Sequence, residues 1–217
     1  MSEISVAGSG TIRGPVRVAR ISVSGSLRAE GAVEAEEVSV SGSARFYSTL
    51  TARKLKVSGS TSVEEDLKAG EVRVSGSLDV GGQLEAESLE VWGSARGGVV
   101  KAGEVSVSGS LSAKEVRARR VVVHRKSKVR GRVVACEVEL ERGAEAEEIV
   151  ALRVTAGRGA EAERIEAVEA AIEREASVEA LLYISQARIH PEADVARQEK
   201  VEKLSEDLSW CREQAGG

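Results

Sequence analysis

The chain has 217 residues, a net charge of −4 and only 2% aromatic side chains. That composition excludes a globular core built on aromatics, bulk electrostatic attraction to nucleic acid, and a membrane-crossing helix, since no apolar run approaches the roughly 20 residues a bilayer needs. The interior has to be filled by Val, Ile, Leu and Ala.

The first predicted strand begins at Ile4, in ISVAGS, and near-copies of that hexapeptide follow: ISVSGS at Ile21, VSVSGS at Val38, LKVSGS at Leu55, VRVSGS at Val72, LEVWGS at Leu89 and VSVSGS at Val105. The starts lie 17 residues apart five times and then 16. A fixed period of this kind marks a stacked-repeat architecture. Each copy alternates apolar and small polar residues, the pattern of a strand with one buried face. The Gly that follows permits a bend or a close backbone approach. Two further short alternations, such as Leu27 with Ala29 and Val33 with Ala35, complete the unit. Three short strands in 17 residues, with no room for a helix, describe one coil of a triangular β-helix.

The apolar columns run on past the last Gly corner, through Val121, Val138, Val154, Ala170 and Ala187, and two residues later through Val123, Leu140, Ala156, Ile172 and Ile189. About twelve coils result. Near residue 120 the corner changes: Gly8, Gly25, Gly42, Gly59, Gly76, Gly93 and Gly109 give way to Arg125, Arg142, Arg158, Arg174 and Pro191. The register crosses this seam without a linker, so one rod over residues 1–196 is expected, with Gly-corner coils over 4–120 and charged-corner coils over 121–196. Beyond it, 197–217 is expected to form a C-terminal amphipathic helix and tail. There Val201, Leu204, Leu208 and Cys211 recur at helical intervals. Such a helix is too short to stand alone. It is expected to fold back over the last coil, with pairing to a second chain as the alternative.

The tandem VSVSGS, KVSGS and VRVSGS coils and the intervening LRAEGAVEAEE (27–37) resemble the bactofilins, polymer-forming cytoskeletal proteins of bacteria and some archaea. The likeness spans about residues 4–196 and rests on periodicity. It implies a right-handed parallel β-helix and end-to-end assembly into non-polar filaments without nucleotide or other cofactor. Bactofilins often carry an N-terminal tail that contacts membrane; only three residues precede the first coil here, so direct membrane binding is not expected.

An uncapped coil offers unpaired backbone N–H and C=O groups to another strand edge. The expected assembly surfaces are therefore the N-terminal end, at Ile4, Val6 and Ile12, and the C-terminal end or its cap, at Ile189, Val195, Val201, Leu204 and Leu208. Trp92 falls on an outward position where Ser is usual and is the candidate lateral contact. The basic stretch 114–132 holds nine Lys or Arg against one Glu. No aromatics interleave for base stacking, and Lys128 and Arg130 stand one coil from Glu145 and Glu147, so cross-strand ion pairs are expected rather than a nucleic-acid surface. His124 and His190 have no ligand spacing around them, so no catalytic, cofactor-binding or metal-binding residues are assigned. Cys136 and Cys211 make no framework and read as two reduced thiols of a cytoplasmic protein. The expected partners are further copies of the chain and protein cargo. The alternative is a non-polymerising dimeric adaptor.

Overall fold

A computed structural model describes residues 2–213. They form parallel β-solenoids of about twelve turns, with almost no helix. The chain divides into two compact units, Met1–Ala102 and Gly103–Gly217. The division lies ahead of the change of corner near residue 120.

In the first unit every paired strand is parallel and offset by one repeat. Ile4 stands beside Ile21, Ile21 beside Val38, Val38 beside Leu55 and Leu55 beside Val72. The column two residues on is Val6, Val23, Val40, Val57 and Val74. Side chains of one column therefore stack on their own kind. From Ile21 and Val23 onward these rows are buried. The single Phe of the chain, Phe46, is fully buried in a row between Ala29 and Val63. Ala29, its small neighbour in that row, leaves room for the ring.

The Val-Ser-Gly-Ser corner is a hydrogen-bonding device. The amides of Ser58 and Gly59 both donate to the Val40 carbonyl, at 2.8 and 3.1 Å, and the Ser60 amide donates to the Gly42 carbonyl at 2.9 Å. The same trio recurs one coil on, from Ser75, Gly76 and Ser77. Each corner is thereby pulled down onto the one before it, and a Cβ on Gly59 would overlap the Gly42 carbonyl oxygen. These glycines are required for close approach, not for a left-handed φ.

Charged rows on the outer faces pair between coils. Arg17 meets Glu34 at 3.2 Å, Arg20 meets Glu37 at 3.0 Å and Lys54 meets Glu71 at 2.9 Å. Exposed pairs of this kind contribute only about 0.2–1 kcal/mol each. Their larger effect is on register, because a one-residue slip would reverse every inward and outward position.

In the second unit Val121, Val138, Val154, Ala170 and Ala187 align as the sequence columns require, as do Val123, Leu140, Ala156, Ile172 and Ile189. Its corners are true β-turns. The amides of Ser127, Ala144, Ala160 and Ala176 return to the carbonyls of His124, Glu141, Gly157 and Glu173 at 3.0–3.2 Å. The left-handed residue at each is the one after the Arg: Lys126, Gly143, Gly159 and Glu175, with φ of 57–66°. Their amides donate forward to the next coil, as from Lys126 to the Arg142 carbonyl at 3.2 Å. The sequence Arg-Gly-Ala-Glu at 142–145, repeated at 158–161, thus forms a turn with Gly at its left-handed position, a buried Ala and an outward Glu. A left-handed L-residue is costly. Lys126→Gly should therefore stabilise the second unit by about 0.5–1 kcal/mol, read as a higher denaturation midpoint.

The structure departs from the sequence reading at the C-terminus. The strand Asp194–Lys200 continues the solenoid, pairing Val195 with Val178 and Gln198 with Leu181. Residues 201–209 are bends and turns, and among the described residues the only helix is the four-residue Trp210–Glu213. The amphipathic helix expected over 197–213 is not formed; Gln214 to Gly217 lie outside the described residues.

Candidate functional site: the solenoid ends and the tethered tail

At the N-terminal end, Ile4, Val6 and Ile12 occupy the inward rows of the first coil but are only half-buried, whereas their neighbours one coil on, Ile21, Val23 and Ala29, are at most 2% exposed. Gly10, on the row of Leu27, lets Val6 close part of the opening, since a Cβ there would meet the Val6 methyls at 3.1–3.2 Å. Among the described residues no strand pairs with the outer edge of Glu3–Val6. This end is an apolar surface rimmed by backbone groups.

The C-terminal end has a different chemistry. The last strand places Gln198 on the row of the buried Leu181 and Lys200 on the row of Tyr183. Arg197 to Lys200 are all exposed, while Ile189 and Val195 are half-buried behind them. Polar residues on inward rows and charges along an edge are what blunt strand addition.

Val201, Leu204 and Leu208 do not cover that end. The Val201 amide still pairs with the Tyr183 carbonyl, at 2.8 Å, and the tail then turns back along the side wall of the second unit. There the Ser205 amide donates to Glu166 at 2.8 Å. Arg132 donates to Ser205 Oγ at 2.8 Å and to Glu206 at 2.9 Å, and Arg117 reaches Glu206 at 3.5 Å. Leu208 is buried, and Cys211 is joined to Cys136 by a disulfide, with the two Cα atoms 5.5 Å apart. The expectation of two reduced thiols is overturned: lying in differently patterned regions says nothing of spatial separation once the tail doubles back. Disulfides are rare in reducing cytoplasm outside hyperthermophiles.

Glu166 is a charged residue only 3% exposed. Burial pushes its carboxyl up, but the Ser205 amide and hydroxyl and the Arg164 guanidinium, at 2.7 Å, pull harder and hold it below the ordinary 4.5. Stability from this group is complete above pH 4.5 and is lost as pH falls through the lowered value. Wild type should therefore melt above Glu166→Gln at neutral pH, with the gap closing in acid. A gap independent of pH would refute the assignment.

The other candidates are placed as follows. Trp92 is 51% exposed, on the outward position expected for it. Of the basic stretch, Arg117, Arg120, Arg125, Lys128 and Arg132 are paired with acids, Lys128 with Glu145. Arg130 makes no ion pair with Glu147, whose carboxylate takes the Gly131 amide at 2.6 Å. His124 links three coils, its Nε2 to Ser106 Oγ and its Nδ1 to Glu141, both at 2.9 Å. That chain has the order of a catalytic triad and its His124 and Glu141 are partly exposed. A groove of about 440 Å³ between Lys128, Arg130, Glu145, Glu147, Glu161 and Glu163 is acidic and open. Among the described residues no three His, Cys, Asp or Glu groups converge as metal ligands, and no helix is long and apolar enough to cross a membrane.

The sequence carried a signal for the tail's landing site that the column count passed over. Val134, Val150 and Leu182 are outward positions occupied by apolar residues, on one row with Glu166, and Cys136 stands beside them. The chain matches no protein-family model, no curated protein and no solved structure.

Proposed function

We propose that this protein is a non-enzymatic scaffold that self-associates end to end through its solenoid termini, without nucleotide. Right-handed winding, and filament formation of the bactofilin type, belong to this proposal. The observation that carries it is the contrast between the termini: half-buried Ile4, Val6 and Ile12 beside an unpaired edge, against Gln198 and Lys200 on inward rows at the other end. Two N-terminal ends meeting about a two-fold axis would cover one another's apolar rows and pair their edges. The charged C-terminal edge supplies the weaker contact that extends a dimer into a filament. The scaffold is placed in a cytoplasm that tolerates protein disulfides.

Val6→Asp should break large assemblies down to species no larger than a dimer in sedimentation, with the far-UV spectrum unchanged. Salt should act on the C-terminal contact first, reducing filaments to dimers, because exposed charges are screened beyond about 10 Å at 0.1 M. Wild type that sediments as a single chain at all concentrations would overturn the proposal. The exposure of Trp92 favours a second reading, a partner-binding module. On that reading Trp92→Ala loses the partner and leaves the oligomeric state unchanged.

A further inference from the structure

The tail rests on a wall that is apolar where a solenoid exterior is ordinarily polar. Val134 and Val150 are fully buried although they alternate with the inward Val133, Ala135, Ile149 and Ala151. Leu152, Val168 and Ile184, one corner position further along successive coils, line a cleft of about 450 Å³ whose other side is the tail itself, residues 202–209. The tail supplies what this wall requires. Glu206 sits on Arg117 and Arg132, the Ser205 amide meets the buried Glu166, and Leu208 is buried. Apart from these contacts and the terminal helix, residues 201–211 have little regular structure of their own. One covalent bond closes the arrangement, and both of its cysteines are half-buried rather than sealed in the core.

We infer that Cys136–Cys211 is a redox latch. Reduction frees residues 201–211 from the wall, and the uncovered face is then filled by the same segment of a second copy. A thiolate of a dithiol reductant attacks one sulfur and gives a mixed disulfide. Its second thiol closes on the first, so that two electrons and two protons pass to the protein as two Cys thiols and the reductant leaves as its own disulfide. The second copy is the occupant because its tail carries the matching Glu206, Leu208 and Cys211. Exchange of an identical segment makes no new kind of contact. Within one chain the backbone at Val201 keeps the tail near its own wall at a high effective concentration even after reduction, so exchange with a second copy grows as the protein concentration rises toward that value.

The test uses the full chain. Hydrogen exchange is measured on oxidised protein and on protein reduced with dithiothreitol, both at a dilution where the reduced chain sediments as a monomer, so that no second copy re-covers the wall. The reduced protein is then reoxidised with oxidised glutathione across a concentration series and run on non-reducing gels. The expected result is loss of protection at the Ser205 amide on reduction, at least tenfold, and a disulfide-linked dimer joining Cys136 of one copy to Cys211 of the other, growing with concentration. Unchanged protection after reduction overturns the latch. Lost protection with only intramolecular disulfide at every concentration overturns the exchange. The linkage is mapped by peptide mass, so neither outcome depends on the end-to-end contact, and Val6→Asp should give the same result.

Discussion

Gly59→Ala should destabilise the first unit by about 3 kcal/mol or more, at the severe end for a single methyl. The added carbon falls on the Gly42 carbonyl oxygen and also overlaps the Ser41 carbonyl. Neither is a side chain that can swing aside. Relief requires separating two coils, which breaks the paired donation of Ser58 and Gly59 to Val40 and of Ser60 to Gly42. In a solenoid each coil is held mainly by its neighbours, so the loss is concentrated at one interface. Gly8 is the internal control. It occupies the same corner of the first coil, and a Cβ there meets nothing within 4 Å. Gly8→Ala should shift the denaturation midpoint by less than about 0.5 kcal/mol. Equal effects at the two positions would show that the glycines serve backbone freedom and not the stacking of corners.

Loss of the disulfide, by Cys136→Ser with Cys211→Ser, should lower the stability of the second unit by about 4 kcal/mol. The link spans 75 residues, and closing a loop of that length in the unfolded chain has about that entropic weight. The comparison is between denaturant midpoints of wild type and the double variant. Wild type in reductant should coincide with the variant. A midpoint that does not move would mean that the tail's polar contacts and Leu208 hold it without help. The effect of the variant on the Glu166 region should be non-additive with Glu166→Gln, since both act on one docked segment.

The solenoid was legible because its contacts are nearly one-dimensional. A residue packs on its counterpart one repeat away, so a 17-residue period in the sequence is also the spacing of neighbours in space. Ile21, Val38 and Leu55 could be placed in one column by counting. The corner glycines of the Val-Ser-Gly-Ser coils were legible for the same reason, and they serve close approach; the left-handed φ of Gly143 and Gly159, beside the expected Arg corners, was not. Trp92 was legible as an outward residue from strand alternation alone.

The tail was not. Val201, Leu204, Leu208 and Cys211 have helical spacing, but so short a helix is marginal in water, and Ser205, Asp207 and Ser209 favour turns and caps over helix interiors. Asp207 accepts the Ser209 amide at 2.9 Å, ahead of the single helical turn. The choice fell to partners far away in sequence: Arg132, Glu166 and Cys136. The sequence by itself determined the repeat, the inward columns and the corner chemistry, because those interactions recur at a constant interval. Only the tertiary structure decided where residues 201–213 go and that the two cysteines meet, because those contacts occur once and have no period to read.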